Sequence, residues 1–264
     1  MHLQSREQLR TEGCRARPRV LPKSPSQRFC LVYAAIVTTW PHEILRRTKS
    51  SLEPLANSNL APMMRAYMKD VAPFLGIRAG ERRRALRNSW HGLNPPTCDE
   101  LGEACLTLVG QREREFSYAA YDLIARFIDA ADETFLIEYM QDLLVTKPWW
   151  DTVDGLGSAG VSPLCRRYDA RTVVAQWSKS GDRWLIRAAI QHQRGWKHDT
   201  DVEYVLELCD EHAHSREFFV AKAIGWALRD LARMDSRSVH RFLREHPDLS
   251  PVAAREARRG LSTT

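Results

Sequence analysis

The run Arg216-Glu217-Phe218-Phe219-Val220-Ala221-Lys222-Ala223-Ile224-Gly225-Trp226-Ala227-Leu228-Arg229-Asp230 repeats its apolar positions with a helical period. At about 100° per residue, Ala221, Ile224 and Leu228 gather on one side as a natural core face. Phe219, Lys222, Trp226 and Arg229 fall on the other side, within an arc of roughly 80°. That edge interleaves two aromatics with two cations. A plain solvated basic face is the competing reading, but it leaves a Phe and a Trp wholly in water, so the edge reads as a binding stripe.

Working outward, helical patterns occupy 41–50, 60–73, 79–92, 98–110, 114–130, 133–145, 148–158, 170–178, 182–194, 200–211, 214–231, 235–245 and 250–260. Breaks are expected at Gly76, Gly80, Asn94-Pro95-Pro96, Gly110, Gly160, Gly181, Gly195 and His246-Pro247. No segment sustains the two-residue alternation of a half-buried strand. The expected fold class is all-α, built either as a bundle or as an α-solenoid of antiparallel helices. Trp150, Arg187 and Trp226 lie 37 and 39 residues apart, and Tyr67 precedes Trp150 by 83. These intervals approximate one and two helical repeats, favouring the solenoid and placing the four residues on one side of it.

Composition narrows the functional classes. The 264-residue chain is 44% hydrophobic and 27% charged, ordinary for a soluble globular protein. Six scattered cysteines contain no Cys-x-x-Cys pair, which argues against a zinc framework and for reduced thiols in the cytoplasm. His212 and His214 lack neighbours at ligand spacing, so no metal is expected. The formal charge of +6 is unevenly placed. Residues 1–50 carry ten Lys/Arg against three Asp/Glu, whereas the remainder carries 29 against 30. Any nucleic-acid-binding face of the body must therefore arise by arrangement and not from total charge.

Residues 1–40 are expected to be a disordered basic amino-terminal extension, followed by a single domain over 41–264. The apolar run Phe29 to Trp40 is too short to span a bilayer, so no membrane association is expected. It reads as a hydrophobic flap or as sequence upstream of the true start codon.

The residues richest in chemistry are Lys147-Pro148-Trp149-Trp150-Asp151-Thr152-Val153-Asp154. On a helix, Trp150 and Asp154 project from one face a turn apart. A large π-surface beside a fixed negative charge suits a flat, aromatic, positively charged ligand, a description that an alkylated purine meets. The bland alternative has the tryptophans filling a core and the aspartates facing water. Arg187 clamps a phosphate, holds a carboxylate in place or closes a structural salt bridge. Lys197 is a candidate backbone contact or an ordinary surface lysine.

The chain resembles the AlkD-like DNA alkylation repair proteins in Tyr67-Met68-Lys69, Phe74 to Ile77, Glu81-Arg82-Arg83 and Arg114-Glu115-Phe116. The likeness continues through Val145-Thr146-Lys147, Trp149 to Asp154, Trp184 to Ala189, Glu217 to Arg229, Leu249-Ser250-Pro251 and Arg255-Glu256-Ala257. It runs from about residue 45 to 260; Pro148 replaces a small polar residue common in the family. The resemblance implies HEAT-like repeats whose concave face grips double-stranded DNA. It also implies hydrolysis of the N-glycosidic bond of N3- or N7-alkylated purines, without a deep base pocket and without a cofactor. Carried over, Asp154 is the catalytic carboxylate, Trp150 and Trp226 are the walls beside the damaged nucleotide, and Tyr67 lies nearby. Lys69, Lys147, Arg187, Lys197, Phe219, Lys222 and Arg229 are the expected DNA contacts. A cytoplasmic, nucleoid-associated monomer is expected. A non-catalytic helical scaffold remains the alternative, because fold alone does not choose a function.

Overall fold

A computed structural model describes residues 39–262 and is all-helical over them. The basic extension and the apolar run lie outside the described residues, apart from Thr39 and Trp40. Trp40 opens the first helix, α1 (Trp40–Leu52). Its indole N–H donates to the Asn94 carbonyl at 3.2 Å, and its ring meets Phe127 edge-on at 5.6 Å.

The chain continues through α2 (Ala61–Tyr67), α3 (Ala79–Ser89), α4 (Cys98–Gly110), α5 (Arg114–Arg126), α6 (Met140–Val145) and α7 (Trp150–Leu156). It goes on through α8 (Ser162–Arg167), α9 (Arg171–Ser178), α10 (Arg183–Ile190), α11 (Val202–Glu211), α12 (Phe218–Ala232), α13 (Ser236–Glu245) and α14 (Pro251–Leu261). Local chemistry sets many of the starts. Thr97 and Glu100 form a reciprocal capping box on α4. Asp182, Asp201 and Asp235 each accept from backbone N–H groups opening α10, α11 and α13.

Helices α3, α5, α7, α10, α12 and α14 form one row, each packed on the next. On the other side α1 packs on α4 and α4 on α6, while α9, α11 and α13 lie against α10 and α12. One apolar cluster joins both rows, from Ile44 through Phe116, Leu144, Val174 and Ile224 to Ala257. Ala221, Ile224 and Leu228, the core face read from the sequence, are all buried. Polar links connect successive elements at a near-constant interval: Arg82 to Asp122, Arg114 to Asp151, Asp154 to Arg187, Ser162 to Arg194, and Lys222 to Glu256.

Two expectations about glycine need correction. Gly160 does not end a helix; α7 runs on through a π-helical stretch, Gly157–Val161, into α8. A Cβ at Gly160 would lie 2.4 Å from Met140 Cε, and one at Gly155 would lie 2.5 Å from the Tyr121 ring. These glycines permit close helix approach, a role that depends on partners distant in the chain. Gly80 likewise sits inside α3. Gly76, by contrast, turns the chain as expected, at φ +89°.

Candidate active site

The site begins with what holds α7. Arg114 is fully buried at the start of α5. Its guanidinium donates to both Asp151 carboxylate oxygens, to Thr152 Oγ1 at 3.0 Å and to the Lys147 carbonyl at 2.7 Å. Tyr118 donates its hydroxyl to the same aspartate. The neighbouring Glu115, also fully buried, accepts the backbone N–H groups of Leu75, Gly76 and Ile77. The Arg114-Glu115 dipeptide thus fastens the loop before α3 with one side chain and the entry to α7 with the other.

From the opposite flank, Arg187 on α10 grips Asp154. Its Nε and one terminal nitrogen each donate to a separate carboxylate oxygen at 2.8 Å. The other terminal nitrogen donates to the Phe219 carbonyl at 2.8 Å. Arg187 is 1% exposed, whereas the Asp154 side chain keeps 14%. The aspartate is therefore neither sealed in the core nor fully in water. Bidentate geometry of this kind fixes both position and orientation of the carboxylate.

Trp150, one turn before Asp154, is half-buried and meets the exposed Tyr67 ring edge-on at 6.5 Å. Tyr67 thus meets Trp150, while one turn further along α7 Asp154 is joined through Arg187 to Trp226, whose ring centroid lies 4.8 Å from the guanidinium carbon. Three more cations surround that indole: Arg194 and Lys222 at 5.4 Å and Arg229 at 5.9 Å. Of these four positive groups, Arg187 is paired with Asp154, and Arg194 has no acidic partner among the described ion pairs and is the one open to phosphate.

Lys222 and Arg229 are not free surface charges. They converge with Arg259 on Glu256 of α14, whose side chain is 3% exposed. Burial alone would raise the Glu256 carboxyl, but the Lys222 hydrogen bond and the surrounding charges outweigh it, and the net shift is downward. Phe219 leaves the expected stripe as well. It packs into an aromatic cluster with Trp149 at 5.1 Å and Trp184 at 4.7 Å, because its ring turns back toward α7 and α10. The Trp149 indole N–H is buried there without a partner.

Lys69, Lys147 and Lys197 share an unexpected backbone state. With Asp70 they are the non-glycine residues at positive φ among the described residues: 59°, 46° and 56° for the three lysines. Each departs from the usual range by entering the left-handed region, which costs an L-residue roughly 1–2 kcal/mol. Such strain clusters at functional positions. Lys69 and Lys197 are exposed. The Lys147 ammonium instead donates to the Gln111 carbonyl, and burial followed by the Arg114 charge pulls its pKa down.

A family model described as DNA alkylation repair enzyme matches residues 48–261. The chain belongs to that family. A solved structure of a predicted DNA alkylation repair enzyme from Enterococcus faecalis is similar at a TM-score of 0.71 and 27% identity, covering 79% of this chain and 97% of that one. Among curated proteins none matches. Family membership assigns the chain a role in repair of alkylated DNA, and no described helix is long and apolar enough to cross a membrane.

Within this repair enzyme, Tyr67 meets Trp150, and Asp154 is joined through Arg187 to Trp226, while Lys222, Arg229 and Phe219, like the buried Arg187 expected to contact DNA, are engaged by protein partners. His212 and His214 turn to different partners, Ser178 and Asp248. Arg194, beyond the end of α10, joins the site over Trp226. The positioning roles of Arg114, Glu115 and Glu256 were missed by sequence reasoning. A charged residue one repeat interval from a site residue was the available signal, as with Arg114 and Asp151.

Proposed function

We propose that this repair enzyme is a monofunctional DNA glycosylase that hydrolyses the N-glycosidic bond of N3- and N7-alkylated purines in duplex DNA. The single observation that carries the reading is the half-shielded Asp154, held rigid by buried Arg187 one turn from the Trp150 face. Alkylation at N3 or N7 makes the purine a cation, so it departs neutral when it takes the bonding electron pair. A general acid for the leaving group is then dispensable, unlike the two-carboxylate sugar hydrolases. Water adds its oxygen to the anomeric carbon and releases a proton to solvent. Asp154 would stabilise the positive sugar between those events.

The charges around the two indoles divide their roles. Trp150 bears no cation among the described contacts and stands beside Tyr67, so it is the better wall for a cationic base. Trp226, ringed by Arg187, Arg194, Lys222 and Arg229, suits the phosphate side of the lesion. Lys69 and Lys197 supply further backbone contacts from strained, exposed turns.

A second reading has one observation behind it. Both Asp154 oxygens already accept from Arg187, as they would in a protein that binds alkylated DNA without cutting it. Incubation with duplex DNA carrying 7-methylguanine or 3-methyladenine separates the two. Release of free base and an abasic site is expected; retention of every base with intact binding would replace the glycosylase by the binding protein.

A further inference from the structure

A cavity of about 380 Å³ opens beside Trp226, and no step above uses it. Its volume lies within the roughly 300–1,000 Å³ usual for small-molecule sites. Ile190, Val205, Trp226, Ala227, Leu231 and Met234 give it an apolar lining. Arg194, Lys197 and Arg233 contribute its positive groups, beside His198 and with Asp230 as the carboxylate among its lining residues. Arg194, Lys197 and Arg233 are exposed and have no acidic partner among the described ion pairs. The loop that forms one wall holds Gly195 at φ +87° and Lys197 at φ +56°, the second a conformation that glycine would adopt with less strain.

We propose that this cavity receives an undamaged nucleotide, its neutral base against Trp226 and Leu231 and its phosphate toward Arg194, Lys197 and Arg233. The volume and apolar lining suit an aromatic ring, and the charge suits one phosphate. An alkylated purine cation is excluded by the same positive groups that attract the phosphate. The occupant is therefore chemically the complement of the one at Trp150: neutral base, anionic tail. Two sources share that chemistry, a free nucleoside monophosphate and a nucleotide displaced from a bound duplex beside the lesion. The assignment rests on the DNA-binding half of the proposed function and not on its catalytic half.

Calorimetry with deoxyadenosine monophosphate and with deoxyadenosine tests the free ligand. Duplex DNA carrying 2-aminopurine opposite a tetrahydrofuran abasic analogue tests the displaced one, because unstacking raises the fluorescence of 2-aminopurine. Ala227→Phe fills the floor, and Arg233→Glu reverses an exposed charge should the first variant fold poorly. We expect the phosphate to improve binding about tenfold, equivalent to about 1.4 kcal/mol, and either substitution to abolish it. Binding of the monophosphate alone identifies the free source, and a 2-aminopurine response alone identifies the DNA source; both support the cavity. No response to either probe, or responses unchanged in both variants, overturns it. Base release from methylated duplex is read on the same preparations. Loss of release with retained nucleotide binding refutes the glycosylase and leaves the cavity standing, whereas release without any nucleotide response refutes the cavity alone.

Discussion

Replacing Asp154 by asparagine deletes one negative charge, keeps the side chain nearly the same size and leaves Arg187 where it is. Both carboxylate oxygens are 2.8 Å from guanidinium nitrogens, so a reacting sugar faces a dipole and not a bare anion. A carboxylate about 4 Å from the anomeric carbon, at an effective dielectric near 20, attracts a unit positive charge by about 4 kcal/mol. The guanidinium behind it, about 8 Å from the same carbon, repels by about 2 kcal/mol. The pair together is worth about 2 kcal/mol, or about thirtyfold in rate. Asparagine removes the attraction and keeps the repulsion. The change is therefore the full 4 kcal/mol or so, about a thousandfold.

The assay is single-turnover release of 7-methylguanine from a duplex oligonucleotide, with binding followed by fluorescence anisotropy. Asp154→Asn should release base about a thousandfold more slowly and bind the duplex with little change. Urea denaturation of the same protein separates this from unfolding, because the buried Arg187 loses its acidic partner among the described ion pairs. The sign of the second substitution is the sharper check. Adding Arg187→Met to Asp154→Asn removes the leftover repulsion and should recover up to about thirtyfold. A folded Asp154→Asn protein that releases base within about tenfold of the parent rate would refute the electrostatic argument.

Asp151→Asn is expected to act on stability. It leaves the 1%-exposed Arg114 without its counter-charge, and breaking such a pair typically costs about 3–5 kcal/mol, visible as a lower urea midpoint. The release rate per folded molecule should fall much less than in Asp154→Asn. Lys197→Gly should move stability and binding in opposite directions: relief of the left-handed backbone stabilises by up to about 1 kcal/mol, while loss of one phosphate contact lowers the salt slope of DNA binding by about 1. Unchanged salt dependence would remove Lys197 from the interface. His192, 3% exposed, has its pKa pushed down to about 4, by burial above all. The unfolded chain, titrating near 6.5, then binds the extra proton between those values, so stability is complete above about 6.5 and is lost as pH falls toward 4. The loss should reach about 3 kcal/mol at pH 4, and His192→Gln should flatten that stretch of the curve.

The helical rows were legible because their signal is local: Ala221, Ile224 and Leu228 mark a core face by spacing alone, and all three are buried. Spacing set Tyr67, Trp150, Arg187 and Trp226 on one side, and the described contacts join Tyr67 to Trp150 and Arg187 to Trp226. Charge pairing was not legible, since it depends on which row neighbour faces which. Lys222 and Arg229 look like a free basic edge until Glu256 arrives from α14 to bind both. Gly160 misled for the same reason, because it answers to Met140 in another element.

The choice between the two aspartates of α7 shows how far such pairing reaches into function. Three residues apart, they are gripped from opposite flanks by buried arginines, Asp151 by Arg114 and Asp154 by Arg187, which fixes the rotation of the helix and with it the direction of Trp150. Exposure barely separates them, at 9% and 14%. Occupancy does. Asp151 accepts from two Arg114 nitrogens and the Tyr118 hydroxyl, leaving about one of its roughly four acceptor positions. Among the described residues Asp154 accepts only the two Arg187 hydrogen bonds and keeps about two positions for water or a positive sugar. The carboxylate with acceptor capacity to spare is the one a full turn after Trp150, so the same clasp that orients α7 also distinguishes the aspartate proposed to react.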